Sequence, residues 1–256
     1  MHSSFLQRNR ILATTHELAA LLKSQQRVTL VNATTGLEAA AEKHLEQRIT
    51  HDTAFFDFNL VKDSQNPYPN SLPPLDIFSS YMQKVGVPTN VPVICYDMQG
   101  LYSSPRFYTL MRYFGHSNIR ILDGGLKKWL AEGREVVSGP QPEVTPQQGD
   151  EFNYHVAYED KFIKELSYMH EVARDLLANK ENSKHQVLDA RSVARFTGQV
   201  SESDARLRRG AIRNSTNLPF TEIKNEDGTF KTEEELLQAF KNHGVDLQNS
   251  NRPIIQ

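Results

Sequence analysis

The sequence has one thiol, Cys95, and a thiolate is the strongest nucleophile available to an unmodified side chain at neutral pH. Cys95 lies inside the apolar run "VPVICYD" at 91–97, which reads as a buried strand. There a cysteine packs as a small hydrophobe with a raised pKa and poor access. Arg195, in "ARF", offers a planar guanidinium fork suited to an anion such as a carboxylate, or to an ion pair within the fold. Arg191, in "DARS", is placed to brace the loop after a strand. The densest basic cluster is "RLRR" at 206–209, a solvated loop or a substrate-facing one. His116 follows Gly115 and reads as a packing or capping residue at a helix C-terminus.

Composition bounds what these residues serve. The 256 residues can hold one large domain or two of ordinary size. Charged residues make up 23% and hydrophobic residues 38%, which fits a globular chain and argues against disorder. A net charge of −2 gives no field that would favour nucleic acid. No apolar run is long enough for a membrane-spanning helix, so no membrane partner is expected. One cysteine rules out an intrachain disulfide, and a reducing compartment is the default. Arg8, Arg10 and the absence of an acid before Glu17 give the N-terminus a faint organelle-targeting composition. Ile11 onward already reads as folded sequence, so a cleavable presequence would have little room. The expected location is therefore cytoplasmic or mitochondrial.

The elements that position these residues come in two runs. "RVTLVNA" at 27–33, "TAFFDFN" at 53–59, "VPVICYD" at 91–97 and "IRILDGG" at 119–125 read as strands. Between them, "THELAALLKSQ" has helical spacing with Thr15 as its N-cap candidate, and two further helices end at Gly86 and Gly115. Alternating strands and helices imply an α/β fold with a parallel sheet covered on both faces. The plan then recurs. "QVLDARS" at 186–192 resembles the first strand, "AIRNSTNLPF" at 211–220 resembles "RITHDTAFFDF" at 48–58, and "RPIIQ" resembles "VPVICYD". From Ile49 to Pro92 is 43 residues, and from Ile212 to Pro253 is 41, so the two runs are a repeat.

The expected organisation is an extension at 1–9, a first domain at 10–140, a linker at 141–159 marked by "SGPQPEVTPQQGDE", and a second domain at 160–256. Pairing Pro92 with Pro253 places Gln256 on Cys95. The position matching Asp97 then falls two residues after Gln256. In parallel α/β sheets, function gathers at the carboxyl ends of strands, where loops meet helix N-termini.

The first half carries Tyr96-Asp97, Ser103 to Arg106, Phe114 to His116, Leu122 to Gly125, Trp129 and Gly133, in that order. "VLDARSVARFTG" at 187–198 and "STNLPF" at 215–220 follow in the second half. This series resembles the tandem-domain rhodaneses, the thiosulfate and 3-mercaptopyruvate sulfurtransferases. The resemblance covers nearly the whole chain from about Ile11. It implies two α/β domains, each with a parallel five-stranded sheet flanked by helices in strand order 3-2-4-5-1, the second incomplete in this sequence. It implies sulfane-sulfur transfer from an anionic donor, thiosulfate or 3-mercaptopyruvate, to cyanide or a thiol through a cysteine persulfide, with no cofactor and no metal.

By the same resemblance, the nucleophilic cysteine is expected two positions after Gln256, so the chain as given would be inactive. Asp97 is its counterpart in the non-catalytic first domain. Arg195 matches the substrate-binding arginine. Arg206 lies near a second such arginine, displaced by two residues. The turn "GAIRNST", Gly210 to Thr216, departs from the family pattern, as does Asn32 at the end of the first strand, where the family has an Asp. A non-enzymatic rhodanese-like binding or regulatory protein is the alternative. A phosphatase of the related fold would need a His-Cys-five-residues-Arg loop, and the sequence has none.

Overall fold

The computed structural model describes residues 10–256 except 69, 158–162, 180–181, 203, 205 and 250. The chain divides into two compact units. One runs to Phe162 and includes Glu226–Thr229; the other holds Ile163–Asn225 and Phe230–Gln256.

In the first unit β1 (Leu12–Ala13), β2 (Thr29–Asn32), β3 (Ala54–Phe55), β4 (Val93–Tyr96) and β5 (Ile119–Leu122) form one parallel sheet in the order β3-β2-β4-β5-β1. This is the expected strand order. Every residue of β4 and β5 is buried, Arg120 included, as a parallel sheet covered by helices on both faces requires.

On one face α1 (Thr15–Lys23) and α5 (Gly125–Ala131) pack Leu18, Leu21, Leu126 and Trp129 against Leu30, Ile94, Tyr96 and Leu122. On the other, α3 (Leu75–Lys84) and α4 (Ser104–Tyr113) supply Phe78 and Phe107, with Phe78 stacked on Phe114 at 4.2 Å and Phe107 4.7 Å from Phe56. Between β2 and β3 runs α2 (Ala40–Glu46). Helices α3 and α4 stop where expected, with Gly86 and Gly115 in the left-handed region at φ +69° and +86°.

The N-cap of α1 lies one residue before the expected one. Thr14, not Thr15, is the N-cap: its hydroxyl accepts the Glu17 N–H at 3.1 Å, and Glu17 accepts the Thr14 N–H at 2.8 Å. Only Thr14 stands three residues before an acid, which is what this reciprocal pair requires. Thr15 is buried and donates to Glu132 at 2.7 Å. Over its described part, the segment expected as a linker is hydrogen-bonded along the first unit. Arg27 pairs with Asp150 at 2.5 Å, Asn90 donates to the Gly149 carbonyl at 2.7 Å, and the buried Tyr154 donates to the Val87 carbonyl at 2.7 Å.

The second unit contains α6 (Leu166–Asn179), β6 (Gln186–Asp189), α7 (Val193–Phe196), β7 (Thr216–Asn217), a 3-10 turn at Phe220–Ile223, α8 (Glu233–Asn242) and β8 (Ile254–Ile255). Its described strands form a parallel sheet in the order β7-β6-β8. Three strands stand where a full copy of the first sheet would have five.

The register of the first sheet is repeated residue for residue. Thr29 lies opposite Val93, and Gln186 opposite Ile254; Asn32 lies opposite Phe55, and Asp189 opposite Asn217. The flanking bonds repeat as well: the Thr29 N–H to Pro92 at 2.8 Å and the Gln186 N–H to Pro253 at 3.0 Å. The pairing of Pro92 with Pro253 therefore holds. The pairing of Ile49 with Ile212 slips by one. Ile212, whose carbonyl accepts from Ser215 at 3.1 Å, takes the place of Thr50, whose carbonyl accepts from Thr53 at 3.2 Å. The two isoleucines do not correspond because the turn before the strand, and not a shared side-chain type, fixes where each strand begins.

Candidate active site

Each unit places a polar cluster just past the carboxyl end of a central strand. In the first, the chain leaves β4 at Asp97 and folds back around that side chain. One Asp97 carboxylate oxygen accepts the Gln99 N–H at 3.0 Å. The other accepts the N–H groups of Tyr102, Ser103 and Ser104 at 2.9, 3.0 and 2.9 Å, and the Ser104 hydroxyl at 2.7 Å. The loop can close this tightly because Gly100 and Leu101 take φ of +77° and +52°, and because Gly125 lets Leu126 donate to the Asp97 carbonyl at 2.9 Å. A Cβ on Gly125 would lie 2.4 Å from that carbonyl oxygen. Converging backbone N–H groups at the N-terminus of the ten-residue α4 make an anion cradle. Its occupant is the chain's own carboxylate, which cannot carry sulfane sulfur.

Cys95 stands two residues earlier, fully buried, with its thiol directed to the Ser104 carbonyl at 3.7 Å. Burial pushes its pKa well above the usual thiol value, and the nearby Asp97 charge adds to the rise. The expectation of an inert core thiol agrees with this geometry.

In the second unit β6 ends at Asp189, the counterpart of Asn32 by register. The local turn is the same: Asp189 accepts the Arg191 N–H at 3.0 Å, as Asn32 accepts the Thr34 N–H at 3.1 Å. Arg191 is fully committed. Its Nε reaches both Asp189 oxygens at 2.9 and 3.1 Å, Nη1 donates to Glu202 at 2.8 Å, and Nη2 donates to Asp189 and, at 2.9 Å, to the Gly210 carbonyl. It braces the loop, as its place in the sequence suggested.

Arg195, in α7, gives Nε at 3.0 Å and also Nη2 to the second oxygen of Glu202. The Glu202 side chain is 3% exposed, whereas that of Arg195 is 42% exposed. Hydrogen bonding from Arg195 holds the Glu202 pKa below the usual carboxylate value. Burial acts to raise that of Asp189, but its bonds to Arg191 outweigh this and leave it lowered. Arg206 does not join the cluster: its guanidinium closes on Asp204 at 2.6 Å, and its side chain is 67% exposed.

Sequence reading missed Glu202. The acid stands seven residues after Arg195 and eleven after Arg191, but in a loop beyond the four-residue α7, so no helix brings it to them.

A cleft of 720 Å³ opens beside β6, lined by Met169, Val187, Ala211 and Ile212 together with Arg208 and Arg209. By register Val187 is the counterpart of Leu30. In the first unit Leu30 is covered by Tyr96, Leu122, Leu126 and Trp129. Val187 itself is buried with Val172 and Leu176, so the cleft borders the core of the second unit. Among the described residues no group of three or more His, Cys, Asp or Glu could hold a metal ion. No described helix is long and apolar enough to cross a membrane.

The rhodanese-like domain family matches residues 14–132. The 3-mercaptopyruvate sulfurtransferase of Rattus norvegicus is 34% identical over 209 residues, covering 81% of this chain and 66% of that protein. A probable 3-mercaptopyruvate sulfurtransferase of Schizosaccharomyces pombe is 34% identical over 93% of this chain and 78% of its own length. Thiosulfate sulfurtransferases match as well, that of the rat at 32% identity. Among solved structures, SseA from Escherichia coli, a 3-mercaptopyruvate sulfotransferase of the rhodanese fold, superimposes with a TM-score of 0.80 at 27% identity, over 96% of this chain and 87% of that one. The chain thus spans about two thirds of the length of the rat enzyme it resembles.

Proposed function

This chain belongs to the tandem-domain rhodanese sulfurtransferase family, and on that premise we propose that its second unit carries the donor-binding half of a sulfurtransferase site. The first unit then carries a fixed, non-transferring copy of the same loop. The observation that carries this reading is the shared register of the two sheets. It makes β8 the counterpart of β4, which supports reading a position two residues past Gln256 as the counterpart of Asp97.

A cysteine there would meet the kind of N–H cradle that Asp97 fills in the first unit. Such a cradle favours the thiolate over the thiol and then holds the persulfide anion. The thiolate attacks the transferable sulfur of the donor, and the bond from that sulfur to the rest of the donor, S–S in thiosulfate or C–S in 3-mercaptopyruvate, breaks with its electron pair leaving on sulfite or on the enolate of pyruvate. The persulfide next yields its outer sulfur to cyanide or to a thiolate, which regenerates the cysteine thiolate. Arg195 holds the donor's anionic end. Resemblance to both named enzyme types keeps thiosulfate and 3-mercaptopyruvate as the donor candidates. A cytoplasmic or mitochondrial setting suits a chain whose only thiol is free.

Residues 1–256 hold no other cysteine than the buried Cys95. This favours the second reading, a non-enzymatic rhodanese-like binding protein, for these residues taken alone. A thiosulfate–cyanide assay on residues 1–256 and on Cys95→Ala tests whether Cys95 carries sulfur. No thiocyanate is expected from either. Turnover that vanishes in Cys95→Ala would overturn the assignment of the sulfur carrier. A cysteine two codons after that for Gln256 in the transcript supports the enzyme reading, and another residue there removes it.

A further inference from the structure

Arg191 and Arg195 differ in how much of each guanidinium remains to meet a ligand. All three nitrogens of Arg191 are engaged by Asp189, Glu202 and the Gly210 carbonyl. Arg195 is held on one edge only, Nε and Nη2 both going to Glu202. Its Nη1 has no protein partner among the described residues. The acid at the centre is nearly sealed, at 3% exposure, while the side chain it holds is 42% exposed. Glu202 is also the residue that joins the two arginines, one to each of its oxygens. Arg191 is in turn tied to the end of β6 through Asp189. The chain β6–Asp189–Arg191–Glu202–Arg195 is therefore a run of charge-assisted hydrogen bonds from a sheet strand to an outward-facing fork.

We infer that Glu202 is a positioning residue for the sulfur donor: it clamps the inner edge of Arg195 so that the outer edge stands fixed at the carboxyl end of β6 to receive the donor's anionic group. This rests on the reading of Arg195 as the donor-binding arginine. Charge alone points the opposite way. Glu202 subtracts one positive charge from the neighbourhood of the anion, so an acid that only neutralised its surroundings would weaken donor binding, and its removal would strengthen it. An acid that orders the fork strengthens binding, because an arginine freed from its clamp must lose side-chain freedom when the anion arrives.

The opposite signs make the test. Inorganic thiosulfate is titrated at constant ionic strength into residues 1–256 carrying the wild-type sequence, Glu202→Gln, Glu202→Asp or Arg195→Ala, following the arginine Nε–H resonances by NMR. The wild type is expected to show saturable shifts at Arg195. Glu202→Gln is expected to weaken binding by about tenfold, the scale of one charge-assisted hydrogen bond. Glu202→Asp keeps the charge and shortens the reach, and is expected to fall between the two. The Arg191 Nε–H, held by Asp189, reports that the loop is intact.

Should Glu202→Gln unfold the second unit, Glu202→Asp decides alone: weaker binding than wild type supports the clamp, and equal binding overturns it. Glu202→Gln binding as well as or better than wild type, while Arg195→Ala abolishes binding, overturns the role of Glu202 and leaves the donor site standing. Arg195→Ala binding like wild type, or a wild type that shows no saturable shift, overturns the donor-site reading and this inference with it.

Discussion

Ser104 gives the Asp97 carboxylate two hydrogen bonds, one from its backbone N–H at 2.9 Å and one from its hydroxyl at 2.7 Å. Three more N–H groups, of Gln99, Tyr102 and Ser103, converge on the same carboxylate. A buried acid so surrounded holds its loop in one conformation, and its removal orphans several buried donors at once. Asp97→Asn keeps the shape but turns an amide N–H₂ toward some of those donors. It is expected to cost the first unit roughly 1–3 kcal/mol, and Asp97→Ala more. Trp129, the only tryptophan and a core residue of that unit, reports its unfolding in urea without a contribution from the second unit. An unchanged midpoint for Asp97→Ala would show that the loop does not depend on its carboxylate.

Cys95 is expected to resist modification in the native protein. It is fully buried and its thiol pKa is raised well above the ordinary value, so the thiolate needed for reaction is scarce and out of reach. A thiol-reactive chromophore at pH 8 should label no cysteine in native residues 1–256 and one cysteine per chain in denaturant. Rapid labelling of the native protein would contradict the burial.

The second unit is expected to be the less stable of the two. Among the described residues its core forms two small groups, Val172, Leu176 and Val187 in one and Leu188, Leu218 and Val245 in the other. In the first unit ten buried residues form the group around Trp129 alone. Ile254 in β8 is 38% exposed, whereas its register counterpart Val93 is fully buried. Each aliphatic side chain left uncovered forgoes roughly 1.5–3 kcal/mol, set against a typical whole-domain stability of about 5–15 kcal/mol. Native hydrogen exchange should therefore run faster at Gln186–Asp189 than at Thr29–Asn32. Equal protection of the two strands would refute the ranking.

Two buried histidines set an acid dependence for the first unit. His44 Nδ1 faces the Asn32 amide at 3.1 Å, and its Nε2 faces the Gln141 carbonyl oxygen at 2.9 Å. Asn32 already uses its own oxygen to accept from Thr34, so its N–H₂ group donates and His44 Nδ1 must accept. That arrangement requires the neutral ring. Burial lowers the His44 pKa, Arg48 lowers it further, and the bond to Gln141 opposes them without reversing the shift. Burial likewise lowers His116, whose Nε2 reaches the Val91 carbonyl at 3.1 Å.

With folded values below the unfolded one of about 6.5, the unfolded chain binds more protons as pH falls through that window. Stability is then full above it and drops by up to about 1.4 kcal/mol per pH unit for each histidine until the folded pKa is passed. The Trp129 urea midpoint should decline between pH 7 and pH 5, and His44→Gln/His116→Gln should flatten the decline. A double variant with the wild-type slope would place the titrating groups elsewhere.

Much of this architecture is written locally. The apolar run around Cys95 fixes a buried strand, and with it an inert thiol. Gly86 and Gly115 end helices because each takes a backbone conformation that a side chain opposes. The two prolines at 92 and 253 mark the same strand start in each half, and the paired registers agree. These features depend on neighbours a few residues apart or on a regular period, so the order of residues was enough to find them. The Thr14 cap was legible too, in its three-residue spacing to Glu17, whereas the one-residue slip at Ile212 was decided by which N–H met which acceptor. Glu202 was hidden because its partners Arg191 and Arg195 reach it across an irregular loop, not along a helix, and the path of that loop is not encoded by any period. The donors around Asp97 were likewise hidden, since they are backbone groups that every residue possesses. What only the tertiary structure decided was where those common groups point, because that direction is set by the packing of the whole unit and not by the identity of the residue that carries them.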